Sequence, residues 1–313
     1  MAGNYKKRKL EFRLVRLGLK EDGNIDESKI IEDVRLCGHR AKASISPYGH
    51  GVMPLYANVE IWGMSQADMF KFSYTQFGQQ TTDKGIYRSA FRVFVYAGDE
   101  NAVTAQVFSG QISSAYIDYS KAPDVSFVMN CASDGNLRMQ PIAASTFPGE
   151  HKVSDIIESL ASTNGYTAIN MGLKGVLRDQ NLSGPLYEQI AKVIDAVGGA
   201  AEVRGSEIRY WSKEKPPTAN DMPVLDISAE TGMVGYPSFN QFGLSVQVVT
   251  NPNIRLGQLV KLTTIIPKAS GTWQVFGYSH DLSDQIPDGP WFTTISMLGV
   301  PTISFDSGAI YGD

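Results

Sequence analysis

Ala90-Phe91-Arg92-Val93-Phe94-Val95-Tyr96, the turn Ala97-Gly98-Asp99-Glu100-Asn101 and the run Val103 to Ile112 decide the fold class. Apolar and polar residues alternate on both sides of a Gly- and Asn-containing turn, the pattern of two half-buried antiparallel strands joined as a hairpin. The same period of two extends upstream into Leu10-Glu11-Phe12-Arg13-Leu14-Val15-Arg16-Leu17, with a turn over Gly18 to Asn24, and into Ala57-Asn58-Val59-Glu60-Ile61-Trp62. One short helix interrupts it, with Ser65 placed to cap Gln66 to Phe72. Downstream, strands return at Leu225 to Ser228, Leu244 to Thr250, Gln258 to Ile266, Thr272 to Ser279 and Phe292 to Leu298. Their Gly- and Pro-rich turns are spaced as in a small barrel or sandwich.

Between these β segments the period changes. Val125 to Cys131 reads as a strand, and Val153 to Ala161 carries apolar residues at i, i+3, i+4 and i+7 before Asn164-Gly165 closes the helix. A second helix begins near Ser183, tolerates Pro185 in its first turn, runs from Leu186 to Val197 and ends at Gly198-Gly199. A hairpin around Gly205-Ser206 follows. Lys213 to Asp221, with Pro216-Pro217 among polar residues, is the clearest linker. The expected organisation is an antiparallel β segment over residues 1–125, a mixed α/β segment over 126–215, a second β segment over 216–300 and a tail over 301–313. Gln106-Val107-Phe108 and Gln274-Val275-Phe276 occupy similar strand-end positions in the two β segments. A duplication leaves such a trace, and so does chance.

Composition fits a folded chain. Of 313 residues, 42% are hydrophobic and only 19% charged, the reverse of the balance that keeps a chain disordered. The basic start Met1 to Lys9 has no apolar stretch behind it, and nothing approaches a membrane span, so neither a signal peptide nor membrane insertion by this chain is expected. Cys37 and Cys131 lie far apart, which excludes a disulfide framework or four-cysteine zinc site within one chain. A formal net charge of -4 argues against a binder that works by displacing counterions from nucleic acid.

Chemistry-bearing motifs are missing. Neither G-x-x-x-x-G-K-[ST] nor G-x-G-x-x-G after a strand occurs, and Gly49-His50-Gly51 runs into Val52-Met53-Pro54, which cannot open a phosphate-cradling helix. Gly63-Met64-Ser65 does not continue as a nucleophile elbow. His39, His50, His151 and His280 lack the spacing of a helical zinc pair, and Cys37-Gly38-His39 offers two ligands with no second motif. Asp22-Gly23-Asn24-Ile25-Asp26 alternates like a calcium loop but places Glu27 where that loop needs Gly. No catalytic, cofactor-binding or metal-ligating residue is therefore nominated, although a carboxylate pair converging across a cleft leaves no local motif.

The C-terminal segment is more specific than its class. Ser228-Ala229-Glu230-Thr231-Gly232-Met233-Val234-Gly235-Tyr236-Pro237-Ser238 precedes Val246 to Thr250 and Asn251-Pro252-Asn253-Ile254-Arg255-Leu256-Gly257-Gln258. Gly271-Thr272-Trp273-Gln274-Val275, Ser279-His280-Asp281-Leu282 and Gly289-Pro290-Trp291-Phe292 follow. This order resembles the C-terminal barrel of baseplate hub proteins of contractile-tailed bacteriophages and the related late-control proteins. Ala57 to Ser65 and Val95 to Ile112 resemble the N-terminal half of the same family. The resemblance implies a homotrimeric structural protein with two similar small antiparallel β barrels per chain, over residues 1–125 and 216–300, in a pseudo-sixfold ring, and a mixed α/β domain over 126–215 at the periphery or facing the spike. Such a ring joins a hexameric tail tube protein to a trimeric central spike protein, contacts other baseplate proteins and encloses a channel through which DNA only passes. It implies a virion tail component assembled in the host cytoplasm, with no enzymatic activity. Two other readings stand beside it: a tail-associated peptidoglycan hydrolase, and a carbohydrate- or receptor-binding β module presenting Trp62 or Trp211 on an open face.

Overall fold

The computed structural model describes residues 7–20, 25–49, 51–73, 90–100, 102–139, 142–215, 217–218 and 220–299. His50, Pro216, residues 22–24 of the calcium-like turn and the tail 301–313 lie outside the described residues. The chain opens with the ribbon β1 (Arg8–Leu19) and β2 (Ile25–Cys37), then the hairpin β3 (Ala41–Pro47) and β4 (Val52–Trp62). In α1 (Gln66–Phe72) the Asp68 amide donates to the Ser65 hydroxyl at 3.1 Å, the expected cap. The hairpin β5 (Phe91–Asp99) and β6 (Ala105–Asp118) follows, then β7 (Ser126–Ala132). β7 pairs with both β4 and β6, so this strand belongs to the first β part and not to the mixed segment that begins after it. Periodicity identifies a strand but not its neighbours, and β7, buried on nearly all positions, carries no alternation to align it.

The mixed unit contains α2 (Gly135–Met139), β8 (Ser145–Lys152), α3 (Val153–Thr163), β9 (Thr167–Asn170), β10 (Val176–Leu182), α4 (Leu186–Ala196), β11 (Gly199–Arg204) and β12 (Glu207–Ser212). Both long helices sit where their apolar stripes place them, and Ile156, Ile157, Leu160, Ile190, Val193 and Ile194 meet in one core. This unit is also tied into the sheet. β11 runs parallel to β4 over Ala201 to Val203, and the Ser133 hydroxyl donates to the Val203 carbonyl at 2.8 Å while accepting from the Leu55 amide at 2.8 Å.

The final part holds β13 (Leu225–Ile227), β14 (Met233–Asn240), β15 (Gly243–Val249), β16 (Leu259–Leu262), β17 (Gly271–Asp284) and β18 (Trp291–Gly299). In this part β14 is the strand that the sequence pattern misses, because Gly235, Pro237 and Asn240 read as turn residues. An edge strand tolerates them, since one side of its backbone needs no partner.

All three parts meet in one mainly β sheet, whose main path runs β14-β15-β18-β17-β3-β4-β7-β6-β5-β1-β2. One arrangement occurs in it twice. β3-β4-β7-β6 and β14-β15-β18-β17 are each two consecutive antiparallel hairpins, with the last strand of the second pairing with the last strand of the first. In each, a further strand precedes the third and pairs with its first half: β5 with Ala105 to Gln111, β16 with Gly271 to Gln274. β6 and β17 are both 14 residues long. The two similar Gln-Val-Phe segments lie on these strands, each beside a bulge that leaves Val107 or Phe276 unpaired in register. The quartets also share one core, in which Ile45, Val59 and Met129 are continuous with Val246, Leu282 and Ile295.

Candidate functional site

The register of the sheet carries one quartet onto the other. Phe127 of β7 faces Ile117 of β6, as Trp291 of β18 faces Leu282 of β17. Two residues on, Met129, Val59 and Ala43 form one cross-strand row, matched by Thr293, Val248 and Met233. The adjoining positions point away from the core. There Asn58, Asn130 and Ser114 stand in a row, matched by Gln247, Thr294 and Ser279. The Asn58 amide donates to Asn130 at 2.9 Å, and the Asn130 amide donates to the Ser114 hydroxyl at 3.0 Å. Both quartets thus present an uncharged amide and hydroxyl stripe on the outer face, which offers hydrogen bonds but no cation for a phosphate.

The quartets are joined where β17 pairs with β3, over His280·Ile45, Asp281·Ser44, Leu282·Ala43, Ser283·Lys42 and Asp284·Ala41. On the core side of this joint Leu282 and Ala43 are fully buried, and on the outer side the Ser44 hydroxyl donates to Asp281 at 3.0 Å. The Leu10 amide of β1 donates to Asp284 at 3.0 Å and closes the end of the joint. The stretch of β6 that corresponds to the joining end of β17, Ser114 to Asp118, pairs with β7 alone among the described residues. β14, which corresponds to β3, pairs with β15 alone among the described residues. Among the described residues neither of these two matching edges carries a further strand, and Tyr116 and Tyr236 beside them are 46% and 68% exposed.

A buried polar cluster locks the mixed unit against the C-terminal quartet. Glu202 of β11 is 1% exposed and accepts from the Tyr278 hydroxyl at 2.9 Å and the Leu256 amide at 3.5 Å, with Arg255 at 4.0 Å. Burial raises its carboxyl above the usual carboxylate range, against the pull of Arg204 and the two hydrogen bonds. The Tyr278 hydroxyl is raised well above its ordinary value, by burial first and then by Glu202. Beside it, His280 bonds the Thr293 hydroxyl through Nδ1 at 2.7 Å, and burial with the nearby Arg204 charge pushes it down to about 3, so it is neutral at physiological pH. The expected tight connection is here too: the Asn253 amide donates to the Asn251 side chain at 3.0 Å, and Gly257, at φ +77°, lies against the Trp211 ring.

Trp211 is buried in this seam and presents no open aromatic face; Trp62 is half-buried under the Arg40 guanidinium, 4.5 Å from its ring. His39 and His151 bond the backbone carbonyls of Trp62 and Pro148. Cys37 is exposed and Cys131 buried, its thiol raised by burial. Among the described residues no three His, Cys, Asp or Glu side chains gather as metal ligands, and no helix is long and apolar enough to cross a membrane. The sequence nominated no site residue. What it missed are edges and a buried carboxylate network, and neither leaves a local motif.

A twofold-repeated sheet motif with matching open edges is the layout of an assembly component, and the family comparison agrees. The family described as "Baseplate hub gp41" matches residues 41–296. The chain belongs to this baseplate hub family. Its fold is that of phage tail proteins. The tail protein from Neisseria meningitidis MC58 is similar at a TM-score of 0.55 and 10% identity, over 93% of this chain and 96% of that one. The 43 kDa tail protein of prophage MuSo2 from Shewanella oneidensis is similar at 0.54 and 8%, over 94% and 97%. The E. coli c3393 protein, a type VI secretion component described as similar to the T4 tail proteins gp27 and gp5, reaches 0.52 and 8%, over 83% and 73%. No curated protein sequence matches. The hub chain is thus a structural component of a phage tail baseplate.

Proposed function

We propose that three copies of the hub chain form a ring that adapts a hexameric tail tube to a trimeric central spike. The observation that carries this reading is the repeated quartet: two per chain give six in a trimer, so one face of the ring has near-sixfold symmetry while the chain itself repeats threefold. The mixed unit, present once per chain, is assigned to the threefold, spike-facing side or the periphery. The uncharged stripes Asn58-Asn130-Ser114 and Gln247-Thr294-Ser279, together with the net charge of -4, suit a channel wall along which DNA slides without the counterion release that would hold it. The chain acts without catalysis, in contact with other baseplate proteins, and is built into the virion from the host cytoplasm. A mass in solution of three times 34.2 kDa, with no salt-sensitive DNA binding and no muralytic activity, is the expected result. A monomer at every concentration, or cleavage of peptidoglycan by the purified chain, contradicts it.

A further inference from the structure

Glu202 sits where all three parts of the chain meet. On β11, Ala201 and Val203 pack into the helical core, while Ala200, Glu202 and Arg204 face the other way, towards β17 and the connector between β15 and β16. Arg204 donates to the Pro252 carbonyl of that connector and to the Val107 carbonyl of β6, both at 3.4 Å, so one guanidinium ties the mixed unit to each quartet. Arg255 stands between two sets of partners. Its Nη1 donates to the Pro252 and Ile254 carbonyls of its own turn at 3.2 and 3.1 Å, and its Nε lies 4.0 Å from Glu202 Oε2, beyond hydrogen-bond reach.

The other groups facing Glu202 are engaged or uncharged. Arg209, opposite it on β12, bonds Glu207 at 3.0 Å, and β4 sets Met53 against it. From β17 come Tyr278, which donates to it, and neutral His280. A buried carboxylate needs a cation within hydrogen-bond reach, whereas the neutral acid needs none, and burial favours the neutral form here. Arg255 is the cation that can close on Glu202 without releasing another part of the chain.

We propose that Glu202 is a proton-operated latch on the connector: as the neutral acid it leaves Arg255 clamping its own turn, and as the carboxylate it draws Arg255 away and loosens that turn. The proton leaves to bulk water and no covalent bond between heavy atoms changes. Arg204 keeps its hold on Pro252 and Val107, so the three parts stay joined while the turn Asn251 to Arg255 gains freedom. The latch is a property of the single chain and does not depend on the ring proposed above.

The test is amide hydrogen exchange of the turn in the full-length chain from about pH 5 to about pH 8, expressed against intrinsic rates so that the ordinary pH dependence of exchange is removed. Protection of Asn251 to Arg255 is expected to fall as pH rises, by up to about tenfold per pH unit, until Glu202 is ionised. Glu202→Gln, which cannot ionise, should show a flat profile. Arg255→Gln removes the cation that receives the carboxylate and should move the midpoint to higher pH, whereas a merely structural Arg255 would lower protection equally at every pH. A flat profile in the unsubstituted chain, the same fall in Glu202→Gln, or an unmoved midpoint in Arg255→Gln overturns the latch.

Discussion

The two quartets share a strand order and differ in what flanks them. β6 is followed along the main path by β5, β1 and β2, strands of 9, 12 and 13 residues. β17 instead carries β16 and β13, of only 4 and 3 residues. The end of β17 is occupied by β3, and the matching end of β6 is open among the described residues. The repeated frame thus supplies equivalent strands, and the flanks make the two copies unequal: one bears a long charged ribbon, the other receives Glu202 and Trp211 of the mixed unit. The proposed ring, sixfold-like towards the tube and threefold towards the spike, needs that combination.

The largest contrast is expected between matched core positions. Leu282→Ala empties a fully buried site shared by both quartets and should cost roughly 2–5 kcal/mol in monomer and assembly alike. Ile117→Ala, at the matching but only partly buried position, should cost about half as much. Chemical denaturation of both variants measures this, and equal costs would remove the distinction between the two matched positions.

A smaller effect tests the seam that only the C-terminal quartet possesses. Tyr278→Phe withdraws the hydroxyl donor from buried Glu202 and should lower stability by roughly 1–3 kcal/mol, read as a drop in Tm. The corresponding place in the first quartet has no such carboxylate to orphan.

The joint residues also differ in titration. His280, where the first quartet has Ala115, is pushed down to about 3. A base that resists protonation when folded binds fewer protons than in the unfolded chain. Its contribution is therefore complete above about pH 6.5 and falls by ~1.4 kcal/mol per unit as pH drops from there toward 3. Glu202, raised on folding, acts oppositely, since its stabilising effect declines as pH rises from the ordinary carboxylate range. His280→Leu should flatten the acid limb of a Tm-against-pH curve; an unchanged limb would show that His280 does not set it.

Much of this fold was legible in the sequence because alternation and helical stripes act locally. The α1 cap at Ser65, α3, α4, the β11–β12 hairpin and most central strands follow from spacing alone. The two edge strands of the main path were not legible. β2, with Asp26, Lys29, Glu32, Asp33 and Arg35, and β14, with Gly235 and Pro237, carry the charges and breakers by which edges avoid indiscriminate pairing, and those residues erase the strand pattern. The repeated strand arrangement was barely visible as Gln-Val-Phe, since a repeated topology constrains which positions face the core and not which residues fill them. The buried Glu202–Tyr278 cluster was legible least of all, because the two residues lie 76 positions apart and leave no local motif.

Class-averaged electron micrographs of the purified assembly viewed down its axis test the central claim most directly. Three chains are predicted to give a closed ring around an open pore with six similar lobes, on which the three mixed units impose threefold symmetry. A particle with three unlike lobes and no pore, or a solitary compact chain, would contradict the account.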